Sequence, residues 1–553
     1  MNREDIIAVA AGERKADLVV KGAKALDVFT REWVTADVAV CGGIIAGVGE
    51  YSGKEEINGE GRYLVPTYYD AHLHFESAAV RPSEYLKLTV PRGVTAYNAD
   101  PHEIANVCGD GGIAFMARDV RDIPADVRFM MPSCVPATPE DSSGATLTAA
   151  DAVKCKYGLG LFGLGEMMNV PGVLGRDPDV MAKLNAFDII DGHAPGLTGK
   201  ALCAYAAAGV MTDHECTTAA EAEERVRRGM YVIIREGSQA KDLKKLLPAV
   251  GGKNFSRFMF CTDDRNLEDV SSHGTIDNCV RLAVGCGMDA ASAATMASYN
   301  ACAAYGIKRK GAIAPGCAAD FFLTRDLVGE LPEAVYFGGR RVAENGKALF
   351  ETHPADCSAF LSTVRLAPFG EDAFTFPFRK SMPVIEVAPG TLVTKLGSAD
   401  SPDGLDLMCC MERHRASGEI GHAYVRGFCI GGGAIAQTVG HDSHNVTVIG
   451  DNARDMALAV SALGEGGGFA VAAGGEIKGK VSLAIAGLMS DKSAAEALAE
   501  RKKLRAALGG LKHAEGIEPF MLLSFLSLTV IPEAKLNTKG LYDVTRGKYV
   551  YNG

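Results

Sequence analysis

Between residues 63 and 264 the chain repeats one pattern: a short apolar, β-rich run closes on a polar or ionisable residue and a helical stretch follows. Tyr63–Tyr69 leads to His72 and His74, and Gly93–Ala99 leads to Asp100, His102 and Glu103. Arg128–Ser133 comes next, and then Leu159–Gly165 closes on Glu166. Asp188–Asp191 leads to His193, and Val210–Asp213 to His214 and Glu215. Tyr231–Ile234 leads to Arg235 and Glu236, and Arg257–Thr262 to Asp263 and Asp264. Helical composition fills the gaps, as in 217–228 (TTAAEAEERVRR) and 240–247. Strands alternating with helices predict a parallel sheet, and about eight of them predict a closed, TIM-like (β/α)8 barrel over residues 63–304. Active sites of such barrels lie at the C-terminal ends of the strands, where each of these ionisable residues falls.

The tetrapeptide Ala71–His74 sharpens that expectation. Side chains alternate along a strand, so His72 and His74 share a face and form half of a metal site. With only 12 histidines in 553 residues, a chance pair is an uncommon alternative.

The flanks read differently. Residues 1–62 carry short strands punctuated by glycine pairs, and the same texture returns over 305–360. The two pieces are expected to form one small β-sandwich-like domain, discontinuous in sequence. From 365 to 553 a C-terminal α/β domain is expected, with strands at 434–439 and 446–449 and helices at 453–463 and 494–508. Its segment 441–445 (HDSHN) holds a Ser, a His and an Asp, but proximity in sequence is not triad geometry. A polar loop that closes over the barrel mouth or meets a neighbouring subunit is expected there.

Composition narrows the partners. A net charge of −11 disfavours nucleic-acid binding, which needs a basic face. No apolar run approaches the roughly 20 residues of a membrane span, and Met1–Ile6 lacks the pattern of a secretory signal. The 15 cysteines are scattered and odd in number, as in a reduced, cytoplasmic protein. The large apolar fraction is compatible with a homo-oligomer.

Taken together, His72, His74, Glu166, His193, His214 and Asp263 compose a binuclear metal site. Two divalent ions can share one hydroxide and acidify it to near neutrality, and Asp263 is placed to hold it and take its proton. Each residue alone has a plainer reading: Glu166 as a cap, His193 as a loop histidine. Asp100, His102 and Glu103 could orient His72 or His74, contact substrate, or cap the following helix through Asp100.

This order of ligands resembles the amidohydrolase superfamily, and within it the adenine deaminase family. The motifs are Asp70–Ser77 (DAHLHFES), Ala99–Val107 (ADPHEIANV), Gly165–Asn169 (GEMMN), Asp191–Gly196 (DGHAPG), Asp213–Glu215, Ile234–Ser238 (IREGS) and Thr262–Arg265 (TDDR). They continue through Gly440–Asn445 (GHDSHN), Ala486–Asp491 (AGLMSD) and Pro519–Phe525 (PFMLLSF), so the resemblance spans nearly the whole chain. It implies hydrolytic deamination of adenine to hypoxanthine and ammonia. His72, His74 and Asp263 would hold one ion and His193 and His214 the other. Glu166 would bridge them in place of the carboxylated lysine of related hydrolases. The family is associated with manganese or iron, and mixed imidazole and carboxylate ligation also suits zinc. In the reaction so implied, Glu236 is the candidate acid for the ring nitrogen, with an ion pair to Arg235 as its plainer reading. Asp264 is a candidate substrate contact. Two departures from the family pattern, Asn266 and His273, are expected just after the eighth strand and beside the substrate. Deamination of another purine or heteroaromatic amine, or hydrolysis of a cyclic amide, uses the same metals and differs by product.

Overall fold

The computed structural model describes residues 3–552. Eight short parallel strands make the central barrel: Tyr68–Leu73, Val94–Ala99, Asp126–Phe129, Leu164–Met167, Ile190–Gly192, Thr212–Asp213, Tyr231–Arg235 and Phe258–Cys261. Bridges join what the pairings leave open. Met131 meets Leu164, the Met211 amide donates to Ile190 O at 3.0 Å, and Leu73 meets Asp263 to close the ring. Buried Asp70 helps to fasten that last seam by accepting from the Thr262 amide at 3.0 Å and its hydroxyl at 2.5 Å. The connecting helices start where the sequence caps them. Ala219–Arg227, for example, begins with a reciprocal Thr218–Glu221 capping box.

The first expected barrel run divides in two. Tyr63–Pro66 does not enter the barrel; it pairs antiparallel with Phe321–Thr324 and parallel with Ala16–Asp27, while the barrel begins at Tyr68. Pro66 ends the first piece because it has no amide to donate to a continuing ladder. These pairings place strands from residues 16–66 and from 321–348 in a single nine-stranded sheet.

Beyond residue 380 an eight-stranded sheet carries helices and a small three-stranded sheet. Both of its faces are covered. Along Leu405–Met411, Met408 and Cys410 pack into one core while Cys409 and Met411 pack into another. The adjacent cysteines therefore point apart, and all 15 cysteines are free thiols among the described residues. No helix of the described residues is long and apolar enough to cross a membrane.

Candidate metal centre

The barrel strand ends deliver six donors to one point. His72 and His74 face each other with their Nε2 atoms 3.1 Å apart, and the His72 ring stacks on His214 at 4.2 Å. Glu166 lies between two histidine groups. Its Oε1 is 3.9 Å from His72 Nε2 and 3.4 Å from His74 Nε2, while its Oε2 is 2.7 Å from His193 Nδ1 and 3.3 Å from His214 Nε2. Asp263 completes the first group, with Oδ1 3.4 Å from His72 Nε2 and 3.1 Å from His74 Nε2. Its other oxygen is held by Arg235 Nη1 at 2.8 Å. The Asp263 backbone is left-handed, with φ at 53°, a conformation that is uncommon outside glycine and concentrates at functional sites.

These separations suit metal ligation. Two ligands each about 2.1 Å from one ion stand roughly 3.0–3.5 Å apart, longer than most hydrogen bonds. Triads that fit one ion recur around Glu166: His72 with His74 and Glu166, His72 with His214 and Asp263, and Glu166 with His193 and His214. All six donors except His193 are buried. The other ring nitrogen of His74 faces the Asp100 carbonyl at 2.8 Å, which fixes the ring with Nε2 inward. Burial would raise the Glu166 and Asp263 carboxyls, but the facing histidines bring both well below the usual carboxylate range. They are therefore ionised, as ligands must be.

A surrounding set supports these donors. The Asp100 side chain accepts from the Glu166 amide at 2.9 Å and does not cap the next helix, whose first turn has no side-chain cap. His102 Nδ1 is 3.3 Å from Glu166 Oε1, and its Nε2 is 3.4 Å from Glu103 Oε1. Asp264 borders the same cavity and accepts from the Ser77 hydroxyl.

Three expected neighbours of the substrate do not line this cavity, although Asn266 borders an adjoining one that shares Asp264 and His441 with it. Glu236 is not among the residues lining the cavity; its backbone carbonyl takes a 2.6 Å hydrogen bond from Arg265, and its carboxyl is raised by burial and lowered by Arg265 and Lys241. Glu236 follows the last residue of its strand and is drawn into a bridge with Lys241, while Arg235 points inward to Glu215 and Asp263. Asn266 caps the helix Leu267–His273 by accepting from the Asp269 amide at 2.8 Å. His273 ends that helix, with its side chain 63% exposed, 3.5 Å from Asp269.

The carboxylate that does enter is Glu215. Its Oε1 is 3.5 Å from His214 Nε2 and 3.8 Å from His193 Nδ1, and both of its oxygens accept from Arg235. Its position directly after His214 at a strand end was the available signal. Less legible was the opposite wall: Leu392, His441, Asp442, Phe525, Leu528 and Ile531 all come from beyond residue 380. The cavity so enclosed measures about 590 Å³, counting the solvent it opens onto.

A barrel with histidine and carboxylate donors on the ends of strands one, four, five, six and eight defines a metal-dependent hydrolase of the amidohydrolase class, and residues 63–342 match the amidohydrolase family. Residues 386–548 match the adenine deaminase C-terminal domain. The chain is 44% identical to an adenine deaminase of Nitratidesulfovibrio vulgaris strain Hildenborough, over 98% of this chain and 97% of that one. It is 40% identical to the adenine deaminase of Bacillus subtilis strain 168 over the whole of both. Among solved structures, the β-aspartyl dipeptidase of Fervidobacterium islandicum AW-1 is 14% identical, covers 60% of this chain and 98% of its own, and has a TM-score of 0.46. The chain belongs to the adenine deaminase family of amidohydrolases.

Proposed function

We propose that this protein hydrolyses adenine to hypoxanthine and ammonia. The observation that carries the reading is Glu166, whose two oxygens serve two donor groups at the floor of a cavity closed by the family's own C-terminal region. In this reading His72, His74 and Asp263 would hold one divalent ion and His193 and His214 a second, with one Glu166 oxygen available to each group. Manganese or iron suits this mixed donor set, with zinc compatible. When bound, the ions supply Lewis acidity that brings water toward its nucleophilic form near neutral pH.

The chain's own residues then manage protons and position. Arg235 fixes one oxygen of Asp263 at 2.8 Å, leaving Oδ1 toward the cavity. Asp263 takes the proton of the water whose oxygen joins the ring carbon bearing the amine. It returns that proton to the amine nitrogen as the exocyclic C–N bond breaks and ammonia leaves. Glu215, not Glu236, shares the cavity with His193 and His214; burial would raise its carboxyl, but Arg235 and those histidines bring it below its ordinary range, so it meets the ring as a carboxylate, able to take the remaining proton of the added water and pass it to the ring nitrogen as the carbonyl forms. The apolar wall of Leu392, Phe525, Leu528 and Ile531 suits one face of a planar base.

Product analysis tests the reading. Metal-loaded protein given adenine is expected to form hypoxanthine and ammonia in equal amounts. No consumption of adenine, with a cyclic amide opened to a carboxylate instead, would overturn it.

A further inference from the structure

The loop Gly440–Asn445 comes from outside the barrel yet is built into its mouth. Glu103 accepts from His441 Nδ1 at 2.5 Å and from His444 Nε2. Fully buried Arg413 donates to the carbonyls of His444 and, at 3.0 Å, of Ala486. The His441 ring stacks on Phe525 with centroids 4.4 Å apart. A loop clamped at both ends carries Asp442 into the cavity, where it is 4% exposed.

Asp442 has unspent hydrogen-bonding capacity there. Its Oδ2 is buried and has no hydrogen-bond partner among the described residues, and its Oδ1 is 3.7 Å from His102 Nε2. Buried polar atoms are nearly always satisfied, so an orphaned carboxylate oxygen on a cavity wall calls for a donor from outside the chain. Its position says which part of a ligand supplies it. His102 is the one ring between Asp442 and Glu166, since its other nitrogen lies 3.3 Å from Glu166 Oε1. A purine whose amine-bearing carbon rests by Glu166 and Asp263 extends its five-membered ring across about that interval.

We propose that Asp442 accepts a hydrogen bond from the N–H of the five-membered ring of the bound base, so that the C-terminal region selects free bases and rejects rings substituted at that nitrogen. The inference rests on the deaminase reading above and adds the residue that recognises the far end of the substrate. A nucleoside carries its sugar at that nitrogen, where it would meet Asp442 and the wall of Phe525 and Leu528 in place of a hydrogen-bond acceptor.

The test compares two rings in three proteins: wild type, Asp442→Asn and Asp442→Ala. Steady-state kinetics are run on adenine and on 9-methyladenine, with hypoxanthine and 9-methylhypoxanthine as competitive inhibitors to report binding where turnover is too slow to measure. For adenine, kcat/KM is expected to fall about 100-fold in Asp442→Ala, chiefly through KM, and less in Asp442→Asn, which retains an acceptor. The methylated ring lacks the N–H, so its kcat/KM or inhibition constant should not worsen. Metal content equal to that of wild type shows that the centre has survived the change. Equal losses for both rings, or none for adenine, would overturn the proposal while wild-type turnover of adenine keeps the deaminase reading intact. Silence of the wild type on adenine would remove both.

Discussion

Glu166 and Asp263 illustrate how one carboxylate can serve two neighbours. The two oxygens of Glu166 look to different histidine pairs, and those of Asp263 look to His72 and His74 on one side and to Arg235 on the other. The same directional logic separates Glu215 from Glu236. We expect Glu215→Gln to lower kcat on adenine by at least about 100-fold, the scale of a lost acid–base group, and Glu236→Gln to stay within about threefold of wild type. Steady-state rates at matched metal content check both, and a reversed order would return the acid role to Glu236. In the sequence the two glutamates look alike, each following a strand-end residue with a role of its own. Which one enters the cavity is decided past the last strand residue, where the chain leaves the ladder: His214 and Glu215 both enter, whereas Glu236 bridges Lys241. His72 and His74 escape this ambiguity because their spacing of two fixes a shared face whatever the register. Asn266 and His273 lie beyond the strand end, where a helix cap moves the first to an adjoining pocket and the helix end carries the second to the surface.

At the scale of elements, the strand ends are precise because neighbouring strands hold them. Asp100, at the end of the second strand, accepts from the Glu166 amide on the fourth. Gly165 makes that approach possible, because a Cβ there would lie against the Asp100 carboxylate. Gly165→Ala should therefore displace Asp100, loosen Glu166 and weaken metal retention by about 10–100-fold, the usual cost of disturbing a ligand's support. Metal bound after dialysis against graded chelator measures this, and unchanged retention would show that Asp100 gives way without consequence. Alternating strands and helices were legible from period and composition. The division of 63–73 into two elements was not, because a single apolar run conceals the point at which Pro66 ends one ladder and Tyr68 begins another.

The whole molecule makes its cavity at a seam. The barrel supplies the donors, and the region beyond residue 380 supplies the opposite wall. Such long-range closure leaves little trace in local sequence; only the polar segment 441–445 hinted at it. Lys535 ties the wall together by donating to the carbonyls of Leu392 at 3.1 Å and Phe525 at 3.0 Å. Burial lowers its pKa to about 7, against roughly 10.4 in an unfolded chain. Between those values the unfolded chain binds more protons, so stability should rise with pH by up to roughly 1.4 kcal/mol per unit. Below about pH 7 both states are protonated and the term is constant. The melting difference between wild type and Lys535→Met should shift in favour of wild type from pH 7 to pH 9; a difference independent of pH would contradict a neutralised lysine.

The most direct measurement is a titration of metal-free protein with manganese under low oxygen, following ammonia release from adenine. The proposed sharing of Glu166 by two ions predicts that activity reaches its plateau at two equivalents per chain, and that Glu166→Gln never reaches it. A plateau at one equivalent, or deamination that needs no metal, would contradict the binuclear centre.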